Sequence, residues 1–352
     1  MRAATPWLLT AFALTVSACD KPAAEPSSSA QAAGNTPSST NPSSTPPAGA
    51  TPSVANTSPS SPSGNAPSSK EYALPAVPRW VAIGDLHGDL SATQQALELA
   101  GAIDAKGHWI GGNLVVVQTG DQLDRGDDER GILDLLERVA GEARDAGGAL
   151  HVLNGNHEAM NVLGDFRYVT PAGYRAFDDV TPRAALAERW PSEARGRAGA
   201  FLPGGGEALR LSRRRVVVQV GDTVFVHGGI RAPHVTSGLD RLNRETAAWM
   251  RGSNPQPPRL VQDPEGPLWT RVYGGAQLDS AACAVLDEAL KALGAARMVV
   301  GHSVQEGGIS AACDGRVQRI DVGLSRYYQG ATLQVLEYRD GQVRVLGTPR
   351  KP

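Results

Sequence analysis

The chain has 352 residues, with 34 Lys and Arg against 36 Asp and Glu, a formal net charge of −2. That balance leaves no electrostatic footprint for nucleic acid. The length allows one large domain with a substantial core.

The N-terminus reads as a processing signal. Arg2 supplies a positive start, and the apolar stretch Trp7 to Val16 is too short to span a bilayer comfortably. Val16-Ser17-Ala18-Cys19 resembles a bacterial lipobox. It implies a lipoprotein signal peptide at 1–18, lipid on Cys19, and a membrane-anchored domain facing the periplasm of a bacterial cell envelope. An ordinary signal peptide with an incidental Cys is the competing reading. Residues 20–69 are nearly all Ser, Pro, Ala, Thr, Asn and Gly without an aromatic. Such a composition cannot bury enough apolar surface to offset its ordering entropy, so 19–71 reads as a disordered tether. The folded domain is expected at 72–350.

Arg79–Ile83 reads as a strand, followed by a helix over Leu90–Ala102 that Ser91 can cap. Leu114–Gln118, Glu129–Ala146 and Ala149–Leu153 continue the alternation as strand, helix and strand. This β-α-β-α-β order argues for a largely parallel sheet with ligand groups at the carboxyl ends of its strands. Residues 159–210 break the rhythm and read as a helical, cap-like insertion. Arg213-Arg214-Arg215 reads as a solvated edge, with phosphate binding as the lesser reading. Val216–Val220 and Thr223–Val226 form a hairpin across Gly221-Asp222. A helix at Ala281–Leu293 leads to the strand Arg297–Val300. A strand at Arg316–Val322 and the hairpin Thr332–Glu337/Gln342–Leu346 close the domain and suggest a second sheet packed on the first. Cys283 and Cys313 can pair in an oxidising compartment or stand as two separate small residues; their spacing decides neither.

The chemistry concentrates where strands end. Gly84-Asp85-Leu86-His87-Gly88-Asp89, Gly120-Asp121-Gln122-Leu123-Asp124-Arg125-Gly126 and Gly155-Asn156-His157-Glu158 each follow an apolar run. Val226-His227-Gly228-Gly229 and Val300-Gly301-His302-Ser303 complete the set. Asp, Asn and His are the borderline-hard ligands that suit divalent cations. Two such ions roughly 3.5–4 Å apart activate a nucleophile and clamp phosphoryl oxygens. Asp85 and His87, two residues apart, share a side in an extended segment, and Asp121 is the best bridge. Asp89 reads as a helix cap and Glu158 as a loop-orienting group. His108, His151 and His234 read as ordinary surface or packing residues. Asp165, Arg167 and Tyr168 can be structural or touch substrate.

These segments resemble the calcineurin-like metallophosphoesterases, and within them the phosphoprotein phosphatase branch. Gly120–Gly126 is similar to that branch's GDxVDRG, with Leu123 for Val; GNHE and HGG match outright. The resemblance covers about 79–325. Gly301-His302-Ser303-Val304 lacks the second His of the broader group. Glu158-Ala159-Met160-Asn161, Cys313-Asp314-Gly315-Arg316 and Ile320–Ser325 resemble bacterial Shewanella-like protein phosphatases. The resemblance implies an α/β fold with two mixed β-sheets sandwiched between helices. It implies two divalent metal ions (Mn, Fe or Zn): one on Asp85, His87 and Asp121, the other on Asp121, Asn156, His227 and His302. It further implies His157 as general acid paired with Asp124, Arg125 as phosphate clamp, Arg271 as a second clamp, and in-line attack by metal-bound hydroxide. The expected substrate is a phosphorylated protein or small phosphomonoester, with a tilt towards phosphotyrosine. A dinucleoside polyphosphate hydrolase and a non-catalytic envelope binding lipoprotein are the alternatives.

Overall fold

A computed structural model describes residues 70–182, 189–329 and 333–348. The leader, Cys19 and nearly all of the tether lie outside the described residues. In chain order, β1 (Ala73–Leu74) and β2 (Arg79–Ile83) precede α1 (Leu90–Leu99), β3 (Val115–Gln118), α2 (Glu129–Asp145) and β4 (Ala149–Val152). Helices α3 (Asn156–Leu163), α4 (Pro171–Arg175), α5 (Arg195–Phe201) and α6 (Gly206–Leu211) follow. Then come β5 (Val217–Val220), β6 (Thr223–Val226), α7 (Ala232–Ser237), α8 (Leu239–Met250) and α9 (Arg259–Gln262). The chain continues through α10 (Ser280–Leu293), β7 (Arg297–Val300), β8 (Ser310–Ala312), β9 (Val317–Arg319), β10 (Leu333–Arg339) and β11 (Gln342–Thr348).

Two mixed sheets result, ordered β11-β10-β2-β3-β4 and β1-β5-β6-β7-β9-β8. Side-chain alternation along the strands builds the layers. In β2, Trp80 and Ala82 face Val218, Phe225 and Val299 of the other sheet, forming the core between sheets. Val81 and Ile83, on the opposite face, pack on Leu97, Ile132, Leu136 and Val139 of α1 and α2. The second sheet does the same, with Val224, Val226, Met298 and Val300 against Leu286, Ala289 and Leu293 of α10. A separate apolar cluster ties the 159–210 stretch, through Phe166, Phe177 and Phe201, to Leu133 of α2 and Trp249 of α8.

The parallel β2-β3-β4 order agrees with the sequence. Four details differ. The closing hairpin β10-β11 joins the first sheet, antiparallel to β2, and only β9 joins the second. Strand β9 is three residues long; Ile320 N–H still donates to Val300 O at 2.8 Å, and the chain then passes close to Gly84, where a Cβ would lie 2.4 Å from Ile320 O. Ser91 does not cap α1; Asp89, also read as a cap, does, its Oδ1 accepting from Ala92 N–H at 3.0 Å. Arg213-Arg214-Arg215 is not uniformly solvated: Arg213 is exposed, whereas Arg214 runs inward to donate to Gln122 Oε1 at 2.6 Å. Cys283 and Cys313 form a disulfide that ties α10 to the β8-β9 turn.

Glu142 of α2 anchors the loop before β3. It accepts from Trp109 N–H at 2.7 Å and Arg138 Nη1 at 2.7 Å, which with His108 hold its pKa down at about 2. Because the folded value lies below the ordinary 4.5, its contribution is full above that pH and fades as pH falls toward 2. Its half-exposed setting reduces the effect, so Glu142→Gln is expected to cost about 1 kcal/mol at pH 7 and far less near pH 2. Urea denaturation at both pH values checks this; equal losses would assign Glu142 a packing role instead.

Candidate active site

Tight backbone geometry brings the five motifs together. His87, Asp121, Asp124, Arg125 and His302 all sit at φ between 42° and 67°. Non-glycine residues rarely adopt that left-handed region, at about 1 kcal/mol or more each, and such strain gathers at functional sites. Two glycines make the approach feasible. A Cβ at Gly155 would lie 2.1 Å from Asp121 Oδ1, and one at Gly301 would lie 2.3 Å from Asp85 Oδ1. Glu158 holds the central loop from behind, accepting from the N–H groups of Asp121, Gln122 and Gly155 at 2.7–2.8 Å.

Asp121 is at the centre. Its Oδ2 lies 3.2 Å from His227 Nε2, 3.7 Å from His87 Nε2 and 3.8 Å from His157 Nε2. Two clusters of ligand-type atoms share it: His87, Asp121 and His157, and Asp121, His227 and His302. Asn156 Oδ1 joins the second at 2.8 Å from His227 Nε2. Backbone carbonyls settle which ring nitrogens carry protons, since a carbonyl can only accept. His87 Nδ1 donates to Leu123 O at 3.0 Å, His227 Nδ1 to Thr119 O at 3.1 Å and His302 Nε2 to Trp269 O at 3.1 Å. In the neutral rings this leaves bare His87 Nε2, His227 Nε2 and His302 Nδ1. Burial favours the neutral form, pushing His87 down to about 3 and His302 to about 2. His227 Nε2 and His302 Nδ1 then face each other at 3.1 Å with Asn156 Oδ1 and Asp121 Oδ2 beside them. Four electron-pair donors converge with no proton to share. That arrangement suits a cation, and the carbonyl-fixed imidazoles are what a metal site requires.

Asp85 is buried alongside, its Oδ2 accepting from His302 N–H at 3.1 Å. Burial, then the neighbouring Asp321 and Asp121 carboxylates, push its pKa well up. Asp321 is thus a partner of Asp85 beneath the site. Burial works against the charge on Asp121, but wherever the His227 and His157 rings carry a proton their charge outweighs it and holds the carboxyl well below the usual range.

A second set of groups stands over the first. His157 Nδ1 lies 2.6 Å from Asp124 Oδ2. Burial alone would lower the His157 pKa, but the Asp121 carboxylate and the Asp124 hydrogen bond raise it above the ordinary value. Arg125 Nη1 reaches His87 Nε2 at 3.2 Å. Its guanidinium lies 5.4, 5.7 and 5.5 Å from the rings of Tyr168, Tyr327 and Tyr328. Of the residues left open by sequence, Tyr168 therefore belongs to the site, while Asp165 and Arg167 pair with each other at 2.6 Å. Arg271 donates to His302 O at 2.8 Å and Ser303 Oγ at 3.0 Å, bracing that loop.

Sequence reasoning missed Arg197. It is fully buried in α5 and donates to Asp124 Oδ1 at 3.3 Å and Asn161 Oδ1 at 2.8 Å, and it pairs with Glu129. Asn161 also donates to Asp124 Oδ1, at 3.0 Å. Asn161 was findable, lying four residues after His157 on one helix face. Nothing in the polar stretch around Arg197 distinguishes it.

A two-sheet α/β sandwich with converging imidazole and carboxylate donors at its strand ends defines a metal-dependent phosphoesterase. Residues 78–306 match the calcineurin-like phosphoesterase family. The chain is 38% identical to Shewanella-like protein phosphatase 2 of Arabidopsis thaliana, covering 76% of this chain and 77% of that one. It is 28% identical to Shewanella-like protein phosphatase 1 of Plasmodium berghei, covering 70% and 67%. The solved structure of a cold-active protein-tyrosine phosphatase of a psychrophilic Shewanella species superposes with TM-score 0.60 at 25% identity, covering 78% of this chain and 82% of that one. This chain belongs to the calcineurin-like phosphoesterase family and is a metal-dependent phosphatase.

Proposed function

We propose that this phosphatase hydrolyses phosphate monoesters on proteins, aryl esters of tyrosine foremost. The carrying observation is Arg125, its guanidinium set among three tyrosine rings beside His157. The planar fork of an arginine binds two phosphoryl oxygens at once. The flanking rings offer apolar walls on which an aryl leaving group can stack. His157, oriented by Asp124, is within the same cluster and delivers a proton to the departing oxygen. Divalent ions held by Asp85, His87 and Asp121, and by Asp121, Asn156, His227 and His302, would supply an activated water and neutralise developing charge. The protein-phosphatase names of its relatives, one a tyrosine phosphatase, support this reading.

The test compares kcat/KM on phosphotyrosine peptides, phosphoserine peptides and diadenosine tetraphosphate, using the full chain supplied with Mn, Fe or Zn. Phosphotyrosine is expected to lead phosphoserine by at least about tenfold, and Tyr168→Ala to shrink that lead about 3- to 10-fold, the worth of one aromatic contact. Turnover of the dinucleotide alone would overturn the proposal.

A further inference from the structure

A cavity of about 550 Å³ opens between α2, β4 and the loop joining α6 to β5. None of its lining residues is a candidate metal ligand. Five arginines line it: Arg144, Arg210, Arg213, Arg214 and Arg215. Glu137, on the wall, pairs with Arg210 and Arg213 at 2.8 and 2.7 Å. Arg144, Arg214 and Arg215 make no ion pair among the described residues. For Arg214, desolvation draws the pKa down to about 10 despite the Glu158, Glu137 and Glu207 carboxylates nearby, and its hydrogen-bond partner is the neutral Gln122. A buried guanidinium with no carboxylate in direct contact gains from any anion that can reach it. The remainder of the wall is apolar, including Leu150, Val152 and Val218. His151, also on the wall, is pushed by burial down to about 4 and so adds no charge at neutral pH.

We infer that this cavity is a second ligand site, taking an organic anion that carries two or more negative charges on an apolar body. The excess guanidinium groups match phosphate or carboxylate oxygens, and the volume suits a small organic molecule. The site is also wired to the catalytic loops. Arg214 holds Gln122, the residue after Asp121, and the Arg215 carbonyl accepts from Asn154 N–H at 2.8 Å, two residues before Asn156. An anion that draws Arg214 and Arg215 toward itself competes with the first contact and shifts the second. Its effect on turnover is therefore on kcat rather than on competition for the phosphate pocket.

ADP, inorganic pyrophosphate and phthalate serve as probes on the full, metal-loaded chain, by calorimetry and by kinetics on p-nitrophenyl phosphate. ADP and phthalate, each with an aromatic body, separate phosphate from carboxylate recognition; pyrophosphate lacks the apolar body. The expected result is that at least one organic probe binds at least tenfold more tightly than pyrophosphate and changes kcat. Arg144→Glu is expected to weaken that binding at least tenfold while leaving KM unchanged. Arg144 is exposed near the end of α2, so the fold tolerates this change; Arg215→Gln provides a second variant with the same expected loss. Purely competitive inhibition, equal affinity in wild type and both variants, or binding of neither ADP nor phthalate would overturn the inference.

Discussion

Asp121→Asn is expected to lower kcat by at least about a thousandfold on every substrate and to strip bound metal. Asp121 is shared by both clusters of ligand-type atoms. The variant keeps the side-chain volume but replaces one oxygen with an N–H donor facing bare imidazole nitrogens. It also removes the negative charge that the His227, His157 and His87 rings surround. A metal ion contributes several kcal/mol to phosphoryl transfer, and each 1.36 kcal/mol is tenfold in rate, so the loss of about 4 kcal/mol gives that figure. Metal analysis and single-turnover kinetics on the same preparation check it. Near-wild-type turnover with full metal content would remove Asp121 from the centre of the mechanism.

His157→Asn carries the second large effect, and its signature depends on the leaving group. A general acid contributes about 10²- to 10⁴-fold. That contribution matters most when the departing oxygen is basic. On phosphotyrosine peptides the expected loss in kcat is therefore within that range. On p-nitrophenyl phosphate, whose leaving group departs readily as an anion, the loss is expected to be much smaller. Asp124→Asn should move both substrates in the same order, because Asp124 reaches the reaction through His157 Nδ1 at 2.6 Å, its other oxygen being held by Asn161 and Arg197. A plot of log kcat against leaving-group pKa for a set of aryl phosphates makes the comparison quantitative. Equal losses across the series would place His157 in ground-state binding or metal retention instead.

The legible part of this molecule was whatever depends on short-range pattern. Arg79–Ile83, Thr223–Val226 and Arg297–Val300 form strands with the expected bounds, since each is a brief apolar run, closed by Gly84, His227 and Gly301 respectively. The five motifs lie at strand ends and converge, because parallel strands present their carboxyl ends together. What the pattern could not show was partner choice. The β10-β11 hairpin has the alternation of a half-buried strand pair, but alternation does not say which sheet it joins; pairing with Trp80 and Val81 of β2 decides that. Arginines were the other blind spot. Arg197 and Arg214 read as members of a polar insertion and a solvated run, yet one is buried against Asp124 and Glu129 and the other against Gln122. A charge is read from sequence as exposed unless a partner is known, and the partners here lie 68 to 92 residues away.

Titrating the metal-stripped full chain with Mn²⁺, Fe²⁺ or Zn²⁺ while following p-nitrophenyl phosphate hydrolysis tests the central claim most directly. Activity should be absent without ion, rise with added metal, and level off at about two ions per chain, as expected for a shared two-metal site. Undiminished hydrolysis in the presence of a strong chelator, with no metal retained, would contradict it.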